Sequence, residues 1–74
     1  MRVGKPDTIS GRAFNECMRR YGSVKMAAYK LGANEDTIRR WRKDESDPGA
    51  KLLRAMCLDG CDLYYIIMGR RSDG

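Results

Sequence analysis

Residues 23–43 read SVKMAAYKLGANEDTIRRWRK, two short helical patterns joined by one glycine-containing turn. The first pattern follows Ser23, a favoured N-cap residue, and stops at Gly32, which tolerates the left-handed conformation found just beyond helix ends. The second follows Asn34, also a good N-cap residue, and its apolar positions are Ile38 and Trp41. The apolar positions of the first pattern recur on one helix face and are Val24, Ala27, Ala28 and Leu31.

The connection between these two predicted helices is only Gly32-Ala33-Asn34. A turn this short, containing glycine, makes two short helices cross at a steep angle, as in a helix-turn-helix. The small side chain of Ala28 suits such a crossing, where a larger one would push the helices apart. The sequence therefore predicts a helix-turn-helix at about residues 24–43, whose second helix can enter the major groove of DNA.

Three further helices are predicted around this motif. One follows Ser10 and stops at Gly22, one follows the polar loop 44–49, and a short one runs from Asp62 to Met68. No stretch of useful length alternates with the period of a strand. The expected fold is all-α, with five short helices in one domain. Its expected bounds are residues 10–70 for the domain, 1–9 for a flexible N-terminal arm and 71–74 for a tail.

The composition argues against an enzyme. The 74 residues include no histidine, so the usual general base and the commonest metal ligand are missing. Fifteen Lys and Arg against ten Asp and Glu give a net charge of +5. Residues 12–43 hold nine of these basic residues and three acidic ones. Such a positive half is either a solvated surface or a binding site for a polyanion such as nucleic acid.

The cysteines indicate a reducing compartment. Cys17, Cys57 and Cys61 are an odd number in a chain with no visible export signal, and we expect reduced, buried thiols in the cytoplasm. Cys57 and Cys61 lack the two further ligands that a structural zinc site needs, so we expect no metal and no cofactor. The longest apolar run, residues 63–68, is far shorter than the roughly 20 residues that span a bilayer, so no membrane association is expected.

The motif residues resemble those of a known family of regulators. The residues that carry the resemblance are Ala28, Leu31, Gly32, Ile38 and Trp41, with the loop 41–48 and the closing segment 63–69. They resemble the Cro/C1-type (lambda-repressor-like, or XRE) regulators of phages and bacteria over about residues 10–70. Residues 21–41 also resemble Fis-type helix-turn-helices, but the fourth and fifth predicted helices favour the Cro/C1 family. The resemblance implies a lambda-repressor-like fold, double-stranded DNA as partner and a homodimer.

The resemblance also places base-reading residues on the helix predicted after Asn34, which is the third helix in chain order. They lie at the start of this helix and one turn further along it. We expect Glu35, Asp36, Arg39 and Arg40 to face base edges, and Lys25, Arg42, Lys43 and Arg20 to bind phosphates. Arg40 lies mid-helix on the outward face, where a guanidinium can donate two hydrogen bonds to guanine. Arg39, Arg42 and Lys43 either read bases or bind phosphate. Glu35 and Asp36 either offset the helix dipole or accept a hydrogen bond from cytosine.

Two features depart from the family pattern. Val24 stands where the family often has a glutamine that binds phosphate, so Lys25 or the N–H groups beside Ser23 would have to substitute. The loop 44–47 is acidic, and we expect it to point away from the duplex.

The fifth predicted helix is apolar throughout. We expect Leu63, Ile66 and Ile67 to close the core. The remaining residues, expected at a dimer interface, are Tyr64, Tyr65 and Met68.

The expected function is sequence-specific binding of double-stranded DNA by a repressor-like transcriptional regulator of phage or prophage origin. It would act in the bacterial cytoplasm, associated with the nucleoid, with its third helix in the major groove of an operator. No small-molecule substrate is inferred. The alternative, from a different class, is a helix-turn-helix protein-interaction module, such as an antitoxin or adaptor, whose main partner is another protein.

Overall fold

The computed structural model describes residues 3–71 of the chain, which contain five α-helices. They are α1 Ile9–Tyr21, α2 Val24–Leu31, α3 Glu35–Arg42, α4 Ala50–Leu58 and α5 Leu63–Met68. There is no β-strand within this range, so the predicted all-α fold of five short helices is confirmed. None of the described helices is both long and apolar enough to cross a membrane.

The ends of α2 and α3 lie where the capping residues predict them. The hydroxyl of Ser23 accepts a hydrogen bond from the N–H of Met26, and the amide oxygen of Asn34 accepts one from the N–H of Asp36. Gly32 has a φ of 66°, a left-handed conformation that a side chain would strain. This glycine allows α2 and α3 to be joined by three residues.

The start of α1 differs from the prediction. Thr8, and not Ser10, is its N-cap residue, because the Thr8 hydroxyl accepts the N–H of Gly11 at 3.0 Å. Ser10 is buried, and its hydroxyl donates to the carboxylate of Asp47 in the loop before α4. The predicted cap is therefore a tertiary contact between α1 and that loop.

The core forms around α1, which lies against α2, α3 and α5. The two apolar residues of α3, Ile38 and Trp41, are fully buried, as predicted. The other buried members of the same cluster are Ala13, Phe14, Cys17, Ala27, Ala28, Met56, Cys61 and Ile66. Replacing a buried aromatic such as Trp41 by alanine costs about 3–5 kcal/mol, a large part of the stability of a domain this small.

The apolar residues of α4 contribute less to the core than their spacing predicts. The sequence predicts that Leu52, Leu53, Ala55 and Met56 form a buried stripe. Of these four, only Met56 is fully buried, and the other three are half-buried. Because α4 contacts only α2 and α5, one of its sides remains open to solvent.

The N-terminal segment differs from the flexible arm that the sequence predicts. Within the described residues 3–8, Gly4 is buried beside α1, and its N–H donates to the amide oxygen of Asn15 at 2.7 Å. The Asn15 amide in turn donates to the Gly4 carbonyl, and Arg12 donates to the carbonyl of Pro6. Residues 1 and 2 of the predicted arm lie outside the described residues. Hydrogen bonds of this kind leave no periodic signal in the sequence.

Gly11 provides the first testable prediction, because a Cβ there would lie 2.0 Å from the carbonyl oxygen of Lys5. We expect Gly11→Ala to lower the free energy of unfolding by about 1–3 kcal/mol, the usual cost of overpacking, since the opposing atoms are backbone. Urea denaturation followed by circular dichroism measures the change. Gly49→Ala is the matched control, because its added Cβ meets nothing within 4 Å. Equal losses in the two variants would contradict the packing of the N-terminal segment.

A buried carboxylate ties the two ends of the domain together. Glu16 on α1 is fully buried and accepts hydrogen bonds from Arg19, from the N–H of Asp62 before α5, and from Arg71 after it. Burial alone would raise the pKa of Glu16, but these hydrogen bonds outweigh it and lower the pKa from 4.5 to about 2. Arg71, the first residue of the predicted tail, is therefore anchored, and residues 72–74 of that tail lie outside the described residues.

The lowered pKa of Glu16 predicts a loss of stability in acid. The unfolded chain takes up the proton near pH 4.5 and the folded chain only near pH 2, so stability falls as the pH drops through this range. The full contribution is about 3 kcal/mol. Urea midpoints measured across this range should fall for the unchanged protein and for Glu45→Gln, an exposed control. Glu16→Gln should remove most of the slope, and an unaltered slope in that variant would contradict the prediction.

Candidate nucleic-acid interface

The outward face of α3 carries the polar side chains that the helix period predicts. With Ile38 and Trp41 buried, the side chains of Arg39 and Arg40 are 55% and 59% exposed. The other exposed residues at the same surface are Asp36 and Lys43, whereas Glu35 and Arg42 are half-buried. All four predicted base-reading residues therefore lie on one accessible helix.

A surface groove runs beside this face, with a volume of about 450 Å³. Its floor includes Phe14 of α1 and Val24 at the start of α2. The remaining lining residues are Asp36, Arg39, Arg40, Arg42, Lys43 and Glu45. We call this the α3 groove. It brings four cationic side chains next to an apolar floor, and two of them, Arg42 and Lys43, were predicted to bind phosphate.

A second concave surface, of about 520 Å³, lies between α2 and α3. It brings Lys25 close to Glu35 and Arg39, so Arg39 borders both concavities. Tyr29, which also lines this surface, is 79% exposed and was not singled out from the sequence. The signal was present, because Tyr29 is four residues after Lys25 and so lies on the same helix face.

The two carboxylates of the first turn of α3 contact its arginines. Glu35 Oε1 accepts a hydrogen bond from Arg39 Nη2 at 2.8 Å. Asp36 lies between the two guanidinium groups, with one oxygen 3.9 Å from Arg39 Nη1 and the other 3.8 Å from Arg40 Nη2. Both acidic residues also lie where a helix favours negative charge. The four side chains therefore form one connected cluster of charges.

Three of the nine basic residues between 12 and 43 are held away from this surface. Arg12 is buried and donates to the carbonyls of Pro6, Ile66 and Ile67, so that it caps the end of α5. Arg19 pairs with the buried Glu16. The remaining six are Lys25, Lys30, Arg39, Arg40, Arg42 and Lys43, all on α2 and α3 or directly after α3.

Arg20 is the third basic residue that is held away from this surface, and it was predicted to bind phosphate. Its Nε donates to the carbonyl of Asp59 at 2.8 Å, and its guanidinium lies beside Gly60 in the connection between α4 and α5. It lines neither the α3 groove nor the surface between α2 and α3. The structure thus does not bring Arg20 together with the other predicted phosphate-binding residues.

The acidic loop before α4, which we expect to point away from the duplex, lies partly beside α3. Glu45 lines the α3 groove, and its N–H donates to the carbonyl of Arg40 at 2.9 Å. Asp47 is exposed, and its carboxylate accepts a hydrogen bond from the hydroxyl of Ser10 on α1. Asp44 has a φ of 62°, which reverses the chain directly after α3 and keeps Glu45 beside it.

The apolar surface of α5 is only partly the predicted one. Tyr64 and Met68 are exposed as expected, at 41% and 54%. Tyr65 is half-buried against the core and lies under the Arg71 guanidinium, 4.0 Å from the ring centre. Ile67, expected in the core, is exposed instead. Since positions 64, 67 and 68 share one helix face, we call Tyr64, Ile67 and Met68 the α5 surface.

The cysteines differ in one respect from the prediction. Cys17 and Cys61 are buried, but Cys57 is exposed on α4. Burial raises the pKa of the Cys17 thiol to about 12, and it also raises the pKa of Cys61. Between residues 3 and 71, no three Cys, Asp or Glu side chains are grouped so that they could hold a metal ion.

Comparison of the chain with protein-family models, with curated proteins and with solved structures finds no match. The assignment of a function therefore depends on the residues and on the geometry described above.

Proposed function

We propose that this protein is a sequence-specific regulator that binds double-stranded DNA, as the resemblance to Cro/C1-type regulators implies. The observation that carries the proposal is the geometry of α3, which is joined to α2 by only three residues. This helix buries Ile38 and Trp41 and exposes a basic face. Six cationic residues lie on α2, on α3 or directly after α3, whereas the three arginines of α1 are held in contacts within the fold.

In the proposed complex, α3 lies in the major groove of DNA. Arg40 donates two parallel hydrogen bonds to O6 and N7 of a guanine, the commonest specific contact between proteins and DNA. Lys25, Arg42 and Lys43 flank it and bind phosphates, which fixes the orientation of α3 without reading sequence. The N–H groups of Val24 and Lys25, the first two of α2, face a further phosphate in place of the glutamine that is missing at Val24.

A homodimer completes the proposal. The α5 surface offers two exposed aliphatic residues and a tyrosine on one helix face, the composition of a small symmetric contact. Two copies joined there would read two half-sites about 34 Å apart. By occupying an operator in the host cytoplasm, such a dimer would block transcription.

A second candidate is a protein-interaction module. The observation that favours it is the exposure of apolar side chains outside the α5 surface, at Tyr29 on α2 and at Leu58 on α4, which are 79% and 71% exposed. This candidate predicts no preference among DNA sequences, and the following experiment separates the two functions.

The test is selection of bound duplexes from a random DNA pool, followed by titrations at two salt concentrations. We expect one enriched sequence and an affinity that falls steeply with salt. Three phosphate contacts per protomer, at Lys25, Arg42 and Lys43, make six contacts in the proposed homodimer and correspond to a log–log slope of about −5. No enrichment would overturn the proposal and favour the protein-interaction module, and a slope near zero would exclude the phosphate contacts.

Arg40→Ala tests base reading. Because Arg40 is proposed to contact a guanine edge, we expect the variant to lose about 1–3 kcal/mol on the selected duplex and much less on random duplex. Arg54→Ala is the matched control, since it removes an equal charge from an exposed position on α4. Its affinities for both duplexes should change by similar factors. If Arg40→Ala weakens both duplexes equally, Arg40 does not read sequence.

A further inference from the structure

The charged cluster on α3 has a geometry that the proposed function does not use. Its members alternate in sign, from Glu35 through Arg39 and Asp36 to Arg40. Asp36 directs a different carboxylate oxygen toward each arginine. Neither arginine of the proposed base-reading face is therefore free of a carboxylate neighbour.

Fold stability does not account for this arrangement. All four side chains are at least 40% exposed, and ion pairs at such positions contribute little to the free energy of unfolding. The helix dipole explains why acidic residues stand in the first turn. It does not explain why arginines follow at the spacings of three and four that let one aspartate face both of them. An effect on the arginines themselves is the remaining consequence of the arrangement.

Two physical effects follow for the arginines. A free arginine side chain loses rotamer entropy when it binds, and a carboxylate that restricts the guanidinium beforehand reduces this loss. A carboxylate beside the guanidinium also opposes the approach of a phosphate, which carries the same sign of charge. Random contacts with the DNA backbone are weakened by this repulsion, whereas a guanine edge, whose O6 and N7 carry only partial negative charge, is repelled less.

We propose that Glu35 and Asp36 are positioning residues that set the sequence specificity of Arg39 and Arg40. They fix the two guanidinium groups for guanine edges and disfavour their use as general phosphate contacts. The inference depends on the proposed DNA-binding function. It adds an action through the arginines to the effect on the helix dipole, and it takes the place of the direct contact with cytosine that was the other role predicted from the sequence.

The experiment compares three variants that each remove one negative charge. Glu35→Gln and Asp36→Asn change the cluster, and Glu45→Gln is the matched control. Glu45 lines the same groove, and within residues 3–71 it forms no ion pair. Each variant is titrated with the selected duplex and with a random duplex of equal length, after circular dichroism has shown unchanged helix content.

We expect Glu45→Gln to strengthen binding to both duplexes by similar factors, so that the ratio of the two affinities stays the same. Asp36→Asn should strengthen binding to the random duplex and lower the ratio by about fivefold or more, with Glu35→Gln changing it in the same direction. The loss of preference should fall at the guanine that Arg40→Ala also affects. In the Arg40→Ala background, Asp36→Asn should therefore lower the ratio less than it does alone.

The outcomes separate the two proposals. If the unchanged protein prefers its selected duplex but Asp36→Asn shifts both affinities as Glu45→Gln does, the inference is overturned and the proposed function stands. If Asp36→Asn lowers the ratio of the two affinities equally with and without Arg40→Ala, Asp36 acts either through Arg39 or by contacting a base directly. Repeating the comparison in the Arg39→Ala background decides between these two. If Asp36→Asn lowers the ratio by the same factor in both the Arg40→Ala and the Arg39→Ala backgrounds, the inference is overturned. If the unchanged protein shows no preference among duplexes, both proposals fail.

Discussion

The burial of Ile38 and Trp41 orients α3, and the exposed charged face of this helix follows from that one constraint. An eight-residue helix that buries both side chains against α1 and α2 must turn its arginines to solvent. The indole N–H of Trp41 is buried and has no hydrogen-bond partner within residues 3–71, which costs about 1–3 kcal/mol. The packing of the large ring has to exceed this cost. Ala27 and Ala28 make the packing possible, because they leave room for α3 at its contact with α2.

The arginines of this domain fall into structural and surface groups, although their chemistry is the same. Arg12 caps α5 through backbone carbonyls, Arg19 and Arg71 neutralise the buried Glu16, and Arg20 holds the connection after α4. A small domain buries a limited apolar area, so contacts of charged groups with the backbone contribute a larger share of its cohesion. Of the nine basic residues between 12 and 43, the six that these contacts do not use therefore lie on α2, on α3 or directly after α3.

Much of the fold and part of the candidate site were predictable from the sequence. The caps Ser23 and Asn34, the turn at Gly32 and the inward pair Ile38 and Trp41 are all where the pattern places them. The caps and the turn depend on interactions between residues at most five positions apart, and the apolar side of α3 follows the helical period, so the sequence pattern records these features directly. The outward direction of Arg39 and Arg40 follows from the same period. The pairing of Asp36 with both arginines was also present in their spacing of three and four.

Other features depend on contacts between distant parts of the chain, and only the tertiary structure decided them. Arg12 and its acceptor Ile66 are 54 positions apart, so nothing near Arg12 marks it as unavailable to a partner. The packing of Gly4 on α1 and the exposure of Ile67 and Cys57 likewise depend on which helix lies opposite. The sequence by itself determined which helices form, where they end and which sides are apolar. Their packing decided which of the apolar and charged side chains remain accessible, because burial is a property of two surfaces and local sequence describes only one of them.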